Sequence, residues 1–178
     1  MAARNAFEKS GYPAENLIDV EALRYLHLSK LGSTRKNEKK EKKTLLVVGD
    51  YVKSSTHKQL VFLQQAISMI DNEIEIKFKA HPACPIDPMI YKGLQMHVET
   101  NPIADLISDA DIVYSGANTS AAVDAYFSGI PVIILLDGTD LNLTPLKGLD
   151  DVLFVTSPEK MASILKSNLN NGLLGSKV

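Results

Sequence analysis

The sequence predicts an α/β fold, an open parallel sheet of about six strands with helices on both faces. Three observations lead there. Between Thr44 and Leu169 short β-rich runs alternate with amphipathic stretches at helical spacing, the pattern of βαβ units. The run Pro131-Val132-Ile133-Ile134-Leu135-Leu136 is apolar throughout, as an interior strand covered on both faces must be. Four strand ends are followed by turn-forming pairs, at Gly49-Asp50, His81-Pro82, Ser115-Gly116 and Asp137-Gly138.

The elements follow in order. Thr44-Leu45-Leu46-Val47-Val48 is the first strand, and Leu60, Leu63, Ile67 and Ile70 then recur at helical spacing, which predicts a helix from about Thr56 to Ile70. Ile74 to Ala80 alternates, with Ile74, Ile76, Phe78 and Ala80 separated by Glu75, Lys77 and Lys79, so one face of this strand is polar. A short strand at Met96-His97-Val98, a helix near Ile103–Ser108 and a strand at Asp111-Ile112-Val113-Tyr114 come next. A helix runs from about Thr119 to Ser128, where Gly129 supplies a left-handed stop and Pro131 forbids continuation. Pro131 is tolerable at the first position of the apolar strand. Val152-Leu153-Phe154-Val155 is the last strand; Ser157 as N-cap and Pro158 at the first helical position open a helix that turns Met161, Ile164, Leu165 and Leu169 inward.

Composition bounds the rest. With 178 residues, 45% of them hydrophobic and 22% charged, the chain buries one ordinary core. The sequence divides into an attachment segment (1–34), a charged linker (35–43) and the α/β domain (44–178). Residues 35–43 carry six basic and two acidic side chains and no large apolar one; this suits a solvated linker, with peripheral contact to anionic membrane headgroups as the alternative. A net charge of −2 gives no basic field, so nucleic acid is not expected as a partner. Cys84 is the only cysteine, which excludes an internal disulfide and a multi-cysteine metal site. No stretch reaches the roughly 20 apolar residues of a membrane span, and the amino terminus lacks the apolar core of a signal peptide. A cytoplasmic protein without metal or cofactor is expected.

In open α/β sheets ligands bind beyond the carboxyl ends of the strands, where strand order reverses. Gly49, Asp50, His81, the 115–120 segment and Asp137 all fall on that edge. Ser115-Gly116-Ala117-Asn118-Thr119-Ser120 runs into a helix, so backbone N–H groups and the hydroxyls of Thr119 and Ser120 suit a phosphate; plain N-capping by Asn118 or Thr119 is the alternative. His81, with Pro82 fixing its turn, is placed to donate to a phosphate or ribose oxygen, or else to satisfy core polar groups. Asp124, one helical turn beyond Ser120 and set among Ala122, Val123, Ala125 and Tyr126, is a candidate acceptor for ribose hydroxyls. The Asp137–Asn142 loop lies over the same edge. There is no Gly-x-Gly-x-x-Gly after the first strand and no P-loop, which excludes the common dinucleotide and ATP sites.

These segments resemble the carboxyl-terminal, donor-binding half of GT-B glycosyltransferases over roughly Thr44 to Leu169. The stretch from Ser115 through Asp124-Ala125 to Gly129-Ile130-Pro131 is similar to that family's nucleotide-sugar segment, with Asp124 where many members carry Glu, five residues before the glycine of Gly-x-Pro. With His81-Pro82 included, it is closer to bacterial surface-carbohydrate enzymes that use CMP- or CDP-activated donors. The resemblance implies a Rossmann-like domain whose donor phosphate is held by His81, Asn118, Thr119 and Ser120. It implies ribose or nucleotide contacts from Asp124, Gly49 and Asp50, and sugar- or acceptor-facing positions at Asp137 and Asn142. It also implies that the acceptor site and catalytic base lie in an amino-terminal half, elsewhere in a longer chain or on a second subunit, so that this half alone has little or no transfer activity. A sugar-nucleotide epimerase of the same fold is a second reading. A receiver-like interaction module is a third, weakened because Gly49-Asp50 offers one acid and Leu135-Leu136-Asp137 no lysine.

Overall fold

The computed structural model of the chain describes residues 2–19, 42–71, 73–139, 141–149 and 152–171. Helix α1 (Ala2–Lys9) and a 3-10 turn (Ala14–Asn16) form the described part of the attachment segment. Arg4 ties them together, bonding Glu8 at 2.9 Å and Asp19 at 2.8 Å, while Phe7 meets Tyr12 edge-on at 5.9 Å. The rest of that segment and most of the expected linker, residues 20–41, lie outside the described residues. Lys42 pairs with Glu73, and Lys43 already belongs to the first strand.

Six strands form one parallel sheet: β1 (Lys43–Val48), β2 (Ile74–Lys79), β3 (Met96–Val98), β4 (Ile112–Gly116), β5 (Val132–Leu135) and β6 (Val152–Val155). Their spatial order is β3-β2-β1-β4-β5-β6, so the chain reverses direction across the sheet between β1 and β4. At the amino ends of this central pair Asp111 accepts from Thr44 N at 2.9 Å and pairs with Lys43 at 3.2 Å.

Period-2 alternation sends successive strand residues to opposite faces. Leu45, Val47, Ile76, Phe78, Tyr114, Ile133 and Val155 pack against Leu60 and Leu63 of α2 (Lys53–Ile67) and Met161 and Leu165 of α5 (Pro158–Asn171). Leu46, Val48, Val113, Val132, Ile134 and Val152 pack against α3 (Ile103–Asp109) and α4 (Ala121–Phe127). Each such fully buried aliphatic contributes about 1.5–3 kcal/mol of transfer free energy. All of β5 is buried. Leu169 lies in α5, but its side chain is outside the description.

Two helices begin elsewhere than expected. Helix α2 starts at Lys53, because Thr56, the expected start, turns its hydroxyl back onto the Asp50 backbone, accepting from Asp50 N at 2.9 Å. It ends at Ile67; Ile70 follows in a turn and still packs against the core. Helix α4 starts at Ala121, with Ser120 at the N-cap position in helical conformation and without a side-chain cap bond. Neither Asn118 nor Thr119 caps it. Its end is as expected. Gly129, at φ 72°, donates to Tyr126 O at 2.9 Å, and Ile130 donates to Ala125 O at 3.0 Å, the paired bonds of a Schellman stop.

Candidate functional site at the strand-order reversal

The loops after β1, β2 and β4 enclose a cavity of about 310 Å³ above the reversal. Its polar wall comprises Asp50 and Tyr51 from the first loop, Lys79 and His81 from the second, and Asn118, Thr119 and Ser120 from the third. Gly49 and Pro82 complete the turns, while Val48, Ala80, Ile103 and Ala121 supply apolar surface. A mostly apolar hollow with a few convergent polar groups suits a small organic ligand with one charged end.

The sheet dictates this convergence. Val48 lies beside Lys79 on one side and Ser115 on the other. Any residue just beyond those positions therefore shares one rim. Gly49 N donates to Lys79 O at 2.9 Å and extends the ladder to the cavity edge. The first loop must run close here, since a Cβ on Gly49 would stand 3.3 Å from both the Phe78 ring and Thr56 Cγ2.

His81 is exposed, and its Nδ1 accepts from Ala83 N at 3.2 Å. With Nδ1 so engaged, the ring hydrogen sits on Nε2, which remains to donate. Tyr51 stands edge-on to the imidazole at 6.3 Å. Lys79 sends its ammonium to Thr100 O at 2.7 Å and lines the cavity together with His81. Thr119 Oγ1 is shielded from solvent and has no hydrogen-bond partner, a state that costs about 1–3 kcal/mol and calls for a local reason.

A second, smaller cleft of about 30 Å³ adjoins the first. Asp50 and Asn118 border both, and Ser55, Gly116, Ala117, Leu135, Leu136 and Asp137 complete the smaller one. Asp137 is held by Lys58 at 3.0 Å and by the Thr139 hydroxyl at 2.7 Å, while the lysine also reaches Thr139 Oγ1 at 2.6 Å. Burial pushes the Asp137 carboxyl up, but the Thr139 hydroxyl and N–H and the Lys58 ammonium together outweigh it and bring it down to about 2.

Of the residues singled out from sequence, the structure brings Gly49, Asp50, His81, Asn118, Thr119 and Ser120 to one cavity. Asp137 lies across the neighbouring cleft, and Asp124 and Asn142 line neither. Asp124 sits one turn into α4, its N–H donating to Ser120 O at 3.3 Å. Sequence reasoning passed over Lys79, Tyr51 and Lys58. Lys79 was legible as the last residue of a strand whose polar face was already evident. Lys58 was not, because its partner depends on how the loop after β5 folds back onto α2.

Among the described residues no group of three or more His, Cys, Asp or Glu is arranged to hold a metal ion. No helix among them is long and apolar enough to cross a membrane.

No family model and no curated protein matches the sequence. Solved structures match the fold. The glycosyltransferase SnogD from Streptomyces nogalater is 16% identical with a TM-score of 0.56, over 76% of this chain and 37% of that one. MurG of Acinetobacter baumannii gives 12% and 0.58, over 80% and 44%. The calicheamicin glycosyltransferase CalG4 gives 12% and 0.57, over 97% and 56%. The chain thus spans about half the length of these proteins or less. At such identities the likeness is one of architecture: this chain has the Rossmann-like fold of the carboxyl-terminal half of GT-B glycosyltransferases.

Proposed function

We propose that the chain is the donor-binding half of a glycosyltransferase, and that its cavity holds the nucleotide of a CMP-, CDP- or UDP-activated sugar used in bacterial surface polysaccharide synthesis. The observation that carries this reading is the meeting of His81 with Asn118, Thr119 and Ser120 around one cavity at the strand-order reversal. His81 Nε2, the Ser120 and Thr119 hydroxyls and the Asn118 amide are donors for the phosphate, with Lys79 adding positive charge nearby. Apolar Ile103, Ala80 and Val48 suit a base or ribose face. Asp124 is proposed as a ribose contact, and Asp137 and Asn142 as residues facing the sugar or the acceptor half.

In this reading the chain's own residues stabilise the leaving nucleotide. As the sugar–phosphate bond breaks, negative charge grows on the phosphate oxygens, and fixed donors around them lower the barrier. The acceptor and the general base belong to a second half, in the same longer chain or another subunit, working at the inner face of the membrane. Alone, this half binds donor without transferring sugar.

The test is an NMR titration of the chain with CMP, CDP, UDP and GDP at millimolar concentration. Shifts at His81, Thr119, Ser120 and Asp124 are expected with at least one of them. His81→Ala and Ser120→Ala are each expected to weaken binding by about tenfold, the scale of one charge-assisted hydrogen bond, with unfolding midpoints unchanged. Silence from all four nucleotides sinks the donor-site reading. Matching losses of thermal stability in both variants point instead to structural roles.

A further inference from the structure

Asp50 is only 4% exposed, yet it borders both the cavity and the adjoining cleft. Its Oδ1 accepts from Val52 N at 2.9 Å, immediately before α2 begins. The carboxylate therefore stands beside the start of this helix, the region where doubly wound folds commonly hold a pyrophosphate. Oδ2 lies over Gly116, 3.8 Å from where a Cβ on that glycine would stand. Among the described residues no Lys, Arg or His forms an ion pair with Asp50.

Charge is thus laid out in sequence across the site. Lys79 and His81 line the cavity but not the cleft, Asp50 borders both, and the cleft carries a second carboxylate, Asp137, already engaged by Lys58. One phosphate suits the first stretch. A second phosphate carried toward the cleft meets an uncompensated, buried carboxylate, and like charges in so shielded a place repel strongly. We propose that Asp50 restricts the site to ligands with a single phosphate between the nucleoside and the group it carries, a nucleoside monophosphate-linked sugar, and excludes diphosphate-linked ones. This rests on the donor-site reading above and narrows it.

Calorimetric titration of the whole chain with CMP and with CDP, each with and without magnesium, tests the proposal. The wild-type chain is expected to bind CMP at least tenfold more tightly than CDP, equivalent to about 1.4 kcal/mol. Asp50→Asn keeps an oxygen for Val52 N and removes the charge; it is expected to bring the two affinities within about threefold, chiefly by tightening CDP. Should the substituted chain fail to fold, the wild-type ratio still decides. Equal or tighter CDP binding by the wild type overturns the proposal, as does an unchanged ratio in a folded Asp50→Asn. Magnesium restoring CDP affinity in the wild type but not in the variant also overturns it, since Asp50 is then a metal ligand and not a barrier. Binding of neither nucleotide by either protein overturns the proposal, and the donor-site reading itself falls with it only when UDP and GDP are silent as well, a result distinct from a wrong preference between the two.

Discussion

Gln59 of α2 and Tyr114 of β4 bond each other reciprocally. The Gln59 side-chain amide donates to Tyr114 O at 3.3 Å, and the Tyr114 hydroxyl donates to Gln59 O at 3.2 Å. The same amide nitrogen donates to Val48 O at 3.1 Å, so one helix residue joins β1 at Val48 to β4 at Tyr114, the pair at which strand order reverses. Both residues are buried. Burial also holds the Tyr114 phenol far above its usual ionisation range, so it remains a donor at any working pH.

Removing that amide is therefore expected to be costly although no apolar core is lost. Gln59→Ala strips two carbonyls and leaves a void, at about 1–3 kcal/mol for the polar loss alone. Urea denaturation followed by far-UV circular dichroism measures it. A midpoint equal to wild type shows that the strand ends are held by the ladder alone.

Asp137 makes stability depend on acid in a defined window. Its folded value of about 2 lies below the ordinary 3.8, so the folded state favours the ionised form. The stabilisation is complete above the unfolded value and fades as pH falls through the folded one. Asp137→Asn is expected to be less stable than wild type near neutrality, with the gap closing between about pH 4 and about pH 2. Thermal melts across that range check it; a gap constant with pH refutes the ionised pairing with Lys58.

Two glycines separate close packing from mere proximity. At Gly49 an added Cβ meets the Phe78 ring and Thr56, both locked in the core, at 3.3 Å. Gly49→Ala is expected to cost about 1–3 kcal/mol by overpacking. At Gly93 the Cβ stands nominally nearer, 2.9 Å from Gln64 atoms, but these belong to a flexible side chain that swings aside. Gly93→Ala is expected within about 0.5 kcal/mol of wild type. Parallel urea midpoints test the ranking, and a larger loss at Gly93 reverses it.

The sheet was legible because its signals are local. Ile76 and Phe78 alternate with lysines, β5 is apolar throughout, and Gly129 marks a helix end whatever surrounds it. The rim followed from strand order, which placed His81 and Ser120 together without any contact between them being predicted. What failed to show was side-chain direction. Asn118 and Thr119 have the chemistry of caps, but the turn at 117–118 delays the helix to Ala121. Asp124 falls in the first turn of α4 yet lines neither the cavity nor the cleft. Gln59 lies on the same buried stripe as Leu60 and Leu63, and its polarity concealed its place there, since only tertiary structure reveals the carbonyls it serves.

The pairing of Leu45 with Ile112 also determines when the crevice comes into being. During synthesis β1 can join β2 early, but its other edge waits for β4, a long-range closure that is entropically costly and slow. The His81 side of the cavity is thus expected to form before the Ser120 side. A molecule lodged between them spans a seam that seals late, and its affinity adds to the free energy of the whole domain by mass action. Occupancy of the cavity is expected to register as resistance to global unfolding and slower proteolysis, not as the stiffening of a single loop.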